Sequence, residues 1–112
     1  MHDPKNLEVF QLQAELCKSL GDPKRLMIIH ELRNSEKSVG ELSVIVGGSQ
    51  PNVSQHLAVL RKSGLLTTRR QGNVIYYSLA NSKIAEACDM VRQVLMDQLK
   101  ESQGLVQNLR VL

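Results

Sequence analysis

No run of about 18 apolar residues occurs anywhere in the 112-residue sequence, so no membrane-spanning helix is expected. The opening stretch MHDPKNLEVF lacks the basic-then-apolar order of a secretory signal, which points to a cytoplasmic protein. Cysteine is scarce. Cys17 and Cys88 are the only two, and both fall in helical stretches rather than in a disulfide frame, as suits a reducing compartment. Internal repeats and low-complexity runs are absent. Catalytic constellations are missing too: no Ser-His-Asp set, paired carboxylates or phosphate-binding glycine loop stands out, which excludes the usual routes to an enzyme. His2, His30 and His56 have no partners at metal-ligand spacing and read as surface or hydrogen-bonded histidines. Neither charge sign dominates. Fourteen Lys and Arg against eleven Asp and Glu give +3 and a pI near 9.1, a mild basic excess that suits a polyanion without demanding one. The length fits one domain, 1–112, with a modest core.

What is present centres on residues 38–64, SVGELSVIVGGSQPNVSQHLAVLRKSG. Ser38 with Glu41 has the spacing of a capping box, so a helix is expected to start there. Leu42, Ile45 and Val46 supply its apolar side, and Gly47-Gly48 ends it, because glycine closes a helix in the left-handed conformation at no steric cost. Ser49 then caps a second helix, whose first turn accepts Pro51 because an N–H there has no intrahelical acceptor. Val53, Leu57 and Leu60 recur at four and three residues and form one buried stripe. The other face carries short or amide side chains able to read base edges in a major groove.

The remaining chain supports this pair. Leu7, Phe10, Ala14 and Cys17 follow helical spacing, so a first helix is expected over 4–20, stopped by Gly21. Asp22-Pro23 is a cap with proline at the first helical position, opening a second helix with Leu26, Ile29 and Leu32 as core. After Gly64 the period changes. LLTTRR and NVIYYSL flank a Gln71-Gly72 turn and predict a two-stranded hairpin over 65–79, with Leu65, Leu66, Val74 and Ile75 partly packed on the helices. Asn81 or Ser82 caps a last helix over 81–103, in which Ile84, Cys88, Val91, Leu95 and Leu99 make an apolar stripe widened by Ala87, Val94 and Met96. Such a face needs covering, by the first helix and by a second copy of the chain. The fold expected is mainly α with a small β-hairpin, in the order α-α-α-α-β-β-α, a winged helix-turn-helix that dimerises through its first and last helices.

At this point LGDPKRLMIIHEL, SVGELS, SQPNVSQHLAVLRKSGLL and RRQGNVIYYSL, which lie in that order within residues 16–79, resemble the ArsR/SmtB family of small transcriptional repressors. The resemblance implies a homodimer that binds double-stranded DNA at an imperfect palindrome and represses until an effector loosens the complex. In a helix-turn-helix the N-terminal part of the second helix meets base edges, and its free N–H groups favour phosphate. Gln50, Asn52, Ser54 and Gln55 are therefore the base-edge candidates. Ser49, His56, Arg61 and Lys62 are candidates for positioning the DNA backbone, and Arg69, Arg70 and Asn73 at the hairpin tip for a flanking minor groove or phosphate.

The input side of the switch is less marked. Where metal-responsive relatives carry ELxCxC in the third helix, this chain has Ser43 and Ile45. At the positions matching the last-helix Asp and His ligands stand Asn81, Lys83, Val94 and Asp97, so no metal site of either type is expected. Cys17 and Cys88 remain as possible sensors of oxidants or reactive sulfur, or as ligands of a soft metal ion completed by a third group. The plainer reading makes each a small apolar residue completing its stripe. A regulator without an effector of its own also fits. A helical protein-interaction module would account for the terminal stripe but not for the polar helix face or the basic hairpin.

Overall fold

A computed structural model of the chain describes residues 6–102. Helix α1 spans Leu7–Ser19, with the Asn6 side chain accepting from the Glu8 N–H. The expected start at Pro4 lies outside the described residues, as does the last residue of the expected 81–103 helix. Helix α2, Pro23–Glu31, opens as the sequence predicts: Asp22 accepts from the N–H groups of Lys24 and Arg25 and Pro23 occupies the first turn. Strand β1, Lys37–Ser38, leads into α3, Val39–Val46, through a capping box in which both halves form, Glu41 N–H to Ser38 Oγ at 3.2 Å and Ser38 N–H to Glu41 Oε1 at 3.0 Å. Gly47 and Gly48 take φ of 78° and 104°, a region that costs any other residue steric strain. The chain thereby reverses within two residues and enters α4, Gln50–Lys62, capped by Ser49.

The hairpin consists of β2, Leu66–Gln71, and β3, Val74–Leu79, and helix α5 spans Lys83–Glu101. At the start of α5 Asn81 does the capping, accepting from the Lys83 N–H at 2.9 Å, while the Ser82 side chain makes no cap bond. The sheet departs from expectation in two ways. It is three-stranded and antiparallel, in the order β1-β3-β2, with Lys37 opposite Tyr77 and Ser38 opposite Tyr76. Two residues cannot display a period of two, so β1 left no pattern to read. Gln71 pairs with Val74, which puts Gly72-Asn73 rather than Gln71-Gly72 in the turn.

The core gathers Ile28, Ile29 and Leu32 of α2 and its C-terminus, Leu42 and Val46 of α3, Val53, Leu57 and Leu60 of α4, and Leu65 and Leu66 entering the wing, with Ala85 added from α5. The α4 stripe is thus buried as its spacing predicts. Leu26, expected in the core, and Ile45, expected on the apolar side of α3, are exposed. Helix α2 turns Ile28, Ile29 and Leu32 toward α3 and α4, leaving Leu26 on the side that faces a groove bordered by α1 and α5. Ile45 loses its place because Leu42 and Val46 already fill the inner face of so short a helix. Val74 and Ile75, expected to pack on the helices, are exposed as well, since they pair with Gln71 and Arg70 at the far end of the hairpin.

Helix α5 lies on α2, fastened by Asp89, which accepts from both Arg33 and Arg92. It leaves Met90, Val91, Val94, Leu95 and Met96 exposed, and α1 likewise exposes Leu7, Phe10 and Leu12. No helix among the described residues is long and apolar enough to cross a membrane.

Candidate nucleic-acid interface

Because Val53, Leu57 and Leu60 are buried on one side of α4, the 3.6-residue period fixes what the other side offers. Gln55 and Lys62, seven residues apart, lie opposite the buried stripe. Asn52 and Ser54 lie beside them, Gln50 and Arg61 lie nearer one edge of the stripe, and all six are exposed. Among the described residues Gln50, Ser54, Gln55, Arg61 and Lys62 make no side-chain hydrogen bond. Their donors and acceptors are therefore available to a ligand. Ser49 uses its oxygen as the cap acceptor for Asn52 N–H at 3.2 Å, which leaves its hydroxyl proton to donate.

The N-terminus of α4 is also held from a distance. Lys24 Nζ donates to the Gly47 carbonyl at 2.6 Å, closing the turn between α3 and α4 with a cation from α2. Twenty-three residues separate the partners, so nothing local in the sequence signals the contact. A Cβ on Gly48 would stand 2.8 Å from that ammonium, so a side chain there would have to displace the end of Lys24 as well as strain the backbone.

His56 does not join the outer face, contrary to its expected role at the DNA backbone. Its side chain is 16% exposed, with Nε2 3.8 Å from Asp22 Oδ2 and Nδ1 3.3 Å from an Arg25 guanidinium nitrogen. Arg25 in turn donates through Nε to the Ser19 carbonyl at 2.6 Å. One position before Leu57, His56 is on the flank of the buried stripe, where the N-terminus of α2 meets it. The group ties the middle of α4 to the α1–α2 corner. Burial works against the Asp22 carboxylate, but the Arg25 N–H, His56, the Lys24 N–H and the Arg25 charge together outweigh it and hold the group below the usual carboxylate range.

On the wing, Arg70 and Asn73 are exposed at the tip, Arg70 donating through Nε to the Gly72 carbonyl at 3.1 Å. Arg69 is differently placed. Its guanidinium grips both oxygens of Glu36, donates to Gln71 Oε1 at 2.8 Å and lies 4.9 Å from the centroid of the Tyr76 ring.

Away from this face, α1, α2 and α5 border an apolar groove of about 820 Å3 that includes Leu16, Leu20, Met27, Ile84, Cys17 and Cys88. The two cysteines are free thiols on one wall system. Burial pushes the Cys88 thiol up, with Arg92 opposing and Cys17 adding to the rise. Among the described residues no group of three or more His, Cys, Asp or Glu side chains is arranged to hold a metal ion.

A polar helix face set behind a glycine turn and beside a three-stranded wing is the arrangement of a DNA-binding module. The family model described as "Bacterial regulatory protein, arsR family" matches residues 22–68, which run from the α2 cap into β2. The Mycobacterium tuberculosis protein Rv0081, an uncharacterized HTH-type transcriptional regulator, is 40% identical over 103 residues, covering 91% of this chain and 90% of that protein. The chain belongs to the ArsR family. Its fold is that of ArsR-family winged helix-turn-helix regulators: the crystal structure of Rv0081 matches with a TM-score of 0.76 at 38% identity, over 90% of this chain and 98% of that one. The biofilm growth-associated repressor of Xylella fastidiosa is 40% identical over 89 residues, 80% of this chain and 78% of that protein. The crystal structure of the Xylella fastidiosa repressor BigR has a TM-score of 0.73 at 37% identity, over 84% and 96% of the two chains. A further likeness, at 25% identity and TM-score 0.77 over 89% and 93%, is to fragment 1–100 of Mb0332 of Mycobacterium bovis, described as a homodimeric winged helix-turn-helix DNA-binding domain of a possible ArsR-family transcriptional regulator. This ArsR-family chain is accordingly a DNA-binding transcriptional regulator and not an enzyme.

Proposed function

We propose that the protein acts in the cytoplasm as a homodimeric repressor that reads a palindromic operator with two copies of α4 and is released from it by an effector. The observation that carries this reading is the run of exposed, unpartnered amide, hydroxyl and basic side chains opposite the buried stripe of α4. Gln50, Asn52, Ser54 and Gln55 address base edges. Ser49, Arg61, Lys62 and, on the wing, Arg69, Arg70 and Asn73 address phosphate or a flanking minor groove. The exposed apolar faces of α1 and α5 join two chains about a two-fold axis, and a two-fold protein calls for a two-fold site.

Base contacts and phosphate contacts separate experimentally. Gln55→Ala should relax discrimination at one base pair of each half-site, by about 1–3 kcal/mol, while its affinity for random DNA is kept. Arg61→Ala should weaken binding to every sequence alike and lower the slope of log K against log salt by about 0.9 per subunit. Titrations of both variants on operator and random duplexes over a salt series check this. Equal losses on all duplexes for Gln55→Ala would remove it from the base-reading set.

A second reading concerns the effector, and the placement of Cys17 and Cys88 on one groove between the helices of the dimer layer favours it. An added thiol oxidant would accept two electrons as the two thiols lose their protons and join as a disulfide, drawing α1 and α5 together. Cys88 is held as the thiol at neutral pH, so the more exposed Cys17 meets the oxidant first. Gel shifts with and without oxidant should show weakened operator binding for the wild type and none for Cys88→Ser. Equal affinity in all four reactions ends the redox reading and leaves the cysteines as packing residues.

A further inference from the structure

The wing arginine is already occupied. Arg69 Nε lies 3.1 Å from Glu36 Oε2 and a terminal nitrogen binds the other oxygen, so the pair is gripped fork on fork, the geometry in which guanidinium recognises a planar anion. The remaining side of the guanidinium is used by Gln71, and its plane lies by Tyr76. Glu36 reaches this place through tertiary structure: it precedes β1, and β1 pairs with β3 so that Ser38 stands opposite Tyr76, itself opposite Arg69 on β2. A carboxylate is thus set at the base of the element that a basic wing would lay along DNA.

We infer that Glu36 is a built-in counter-ion for the wing, a stand-in for phosphate that holds Arg69 in the free protein and yields it to a DNA phosphate on binding, thereby limiting the grip on DNA of any sequence. This rests on the DNA-binding reading above. The exchange is feasible because the pair is partly open to water, with side-chain exposures of 49% and 35%, and exposed ion pairs are weak and easily screened. A duplex phosphate arrives with a dense field of neighbours and releases condensed counterions when it is neutralised. The hydrogen bond from Arg69 keeps Glu36 below the usual carboxylate range against a smaller opposing effect of desolvation, so the carboxylate is charged at neutral pH. The liberated carboxylate then stands close to DNA. Arg69 therefore adds less to the net charge exchange than a lone arginine would, and the wing does not clamp indiscriminately.

Binding of the full chain to a random-sequence duplex, followed by fluorescence anisotropy from 50 to 200 mM salt, tests this with the wild type, Glu36→Gln, Arg69→Ala and the double variant. Glu36→Gln should tighten binding and steepen the salt slope by up to about 0.9 per subunit, so that its advantage over the wild type changes by about threefold per subunit across that range. Adding Arg69→Ala should abolish the gain. Two results would overturn the inference: Glu36→Gln leaving affinity and slope unchanged, or Glu36→Gln and Arg69→Ala weakening binding equally with no change of slope, as a permanent rivet between wing and loop would require. A wild-type protein that melts cooperatively yet binds no duplex at any salt concentration would instead overturn the DNA-binding reading itself. Glu36→Gln is nearly isosteric and lies on a partly exposed loop, and a thermal melt confirms that the variants compared are folded.

Discussion

With aspartate in place of Val91, each chain is expected to fold as before, the dimer to dissociate, and operator affinity to fall by about 10²–10⁴-fold. Val91 is 70% exposed within one chain, so the substitution removes little intrachain packing, and surface changes of this kind leave stability within about 0.5 kcal/mol. Between chains the position is different. Val91 and Leu95 line the open apolar groove that α5 borders with α1 and α2, and Met90 and Val94 of α5 and Leu7, Phe10 and Leu12 of α1 are exposed as well, an apolar extent that invites a partner. In a two-fold interface each substitution appears twice. Two carboxylates would then enter an apolar layer, where desolvating a charge is strongly destabilising. A monomer can still place one α4 in one half-site, but it loses the second contact that the first makes intramolecular. Size-exclusion chromatography with light scattering, a circular dichroism melt and operator titration measure the three parts. A Val91→Asp protein that stays dimeric with unchanged affinity would sink the assignment of this face to dimerisation.

Leu57→Ala should act on stability, with a loss of about 2–5 kcal/mol and a fall in Tm of roughly 10–20 °C. Leu57 is fully buried at the middle of α4, in one cluster with Val53, Leu60, Leu42, Ile28 and Ile29. It is where the recognition helix is anchored to α2 and α3. Truncation leaves a cavity that three short helices cannot close without moving α4. Since a domain of this kind holds about 5–15 kcal/mol in total, a large part of the population would be lost to unfolding or to misorientation of the polar face. Val44→Ala, at a position 86% exposed on α3, is the control and should leave Tm unchanged. Comparable melting temperatures for Leu57→Ala and Val44→Ala would show that α4 is not held by this cluster.

Much of the architecture was legible because the signals were local. The Ser38 and Glu41 capping box, the Asp22-Pro23 start, the Gly47-Gly48 reversal and the Val53, Leu57, Leu60 stripe each need only neighbours within a turn or two, and each formed as read. Expectations failed where a side chain had a choice of sides. Leu26 and Ile45 fit an apolar pattern equally well on either edge of their helices, and only the positions of α1, α3 and α5 decided that both stay open. His56 was indistinguishable from its polar neighbours until Asp22 and Arg25 came beside it.

By itself, the sequence determined the helix starts and stops, the turn before the recognition helix, the apolar stripes and hence the winged helix-turn-helix class with its exposed polar face, because capping and periodicity depend on residues close along the chain. The tertiary structure alone decided which of the candidate contacts remain free. Lys24 closes the α3–α4 turn from 23 residues away, Glu36 takes Arg69 from 33 residues away, and Asp22 and Arg25 turn His56 inward. Those pairings come from charged side chains and their polar partners brought together across elements by packing of the core, and charge carries no periodicity along the chain from which a distant partner can be read.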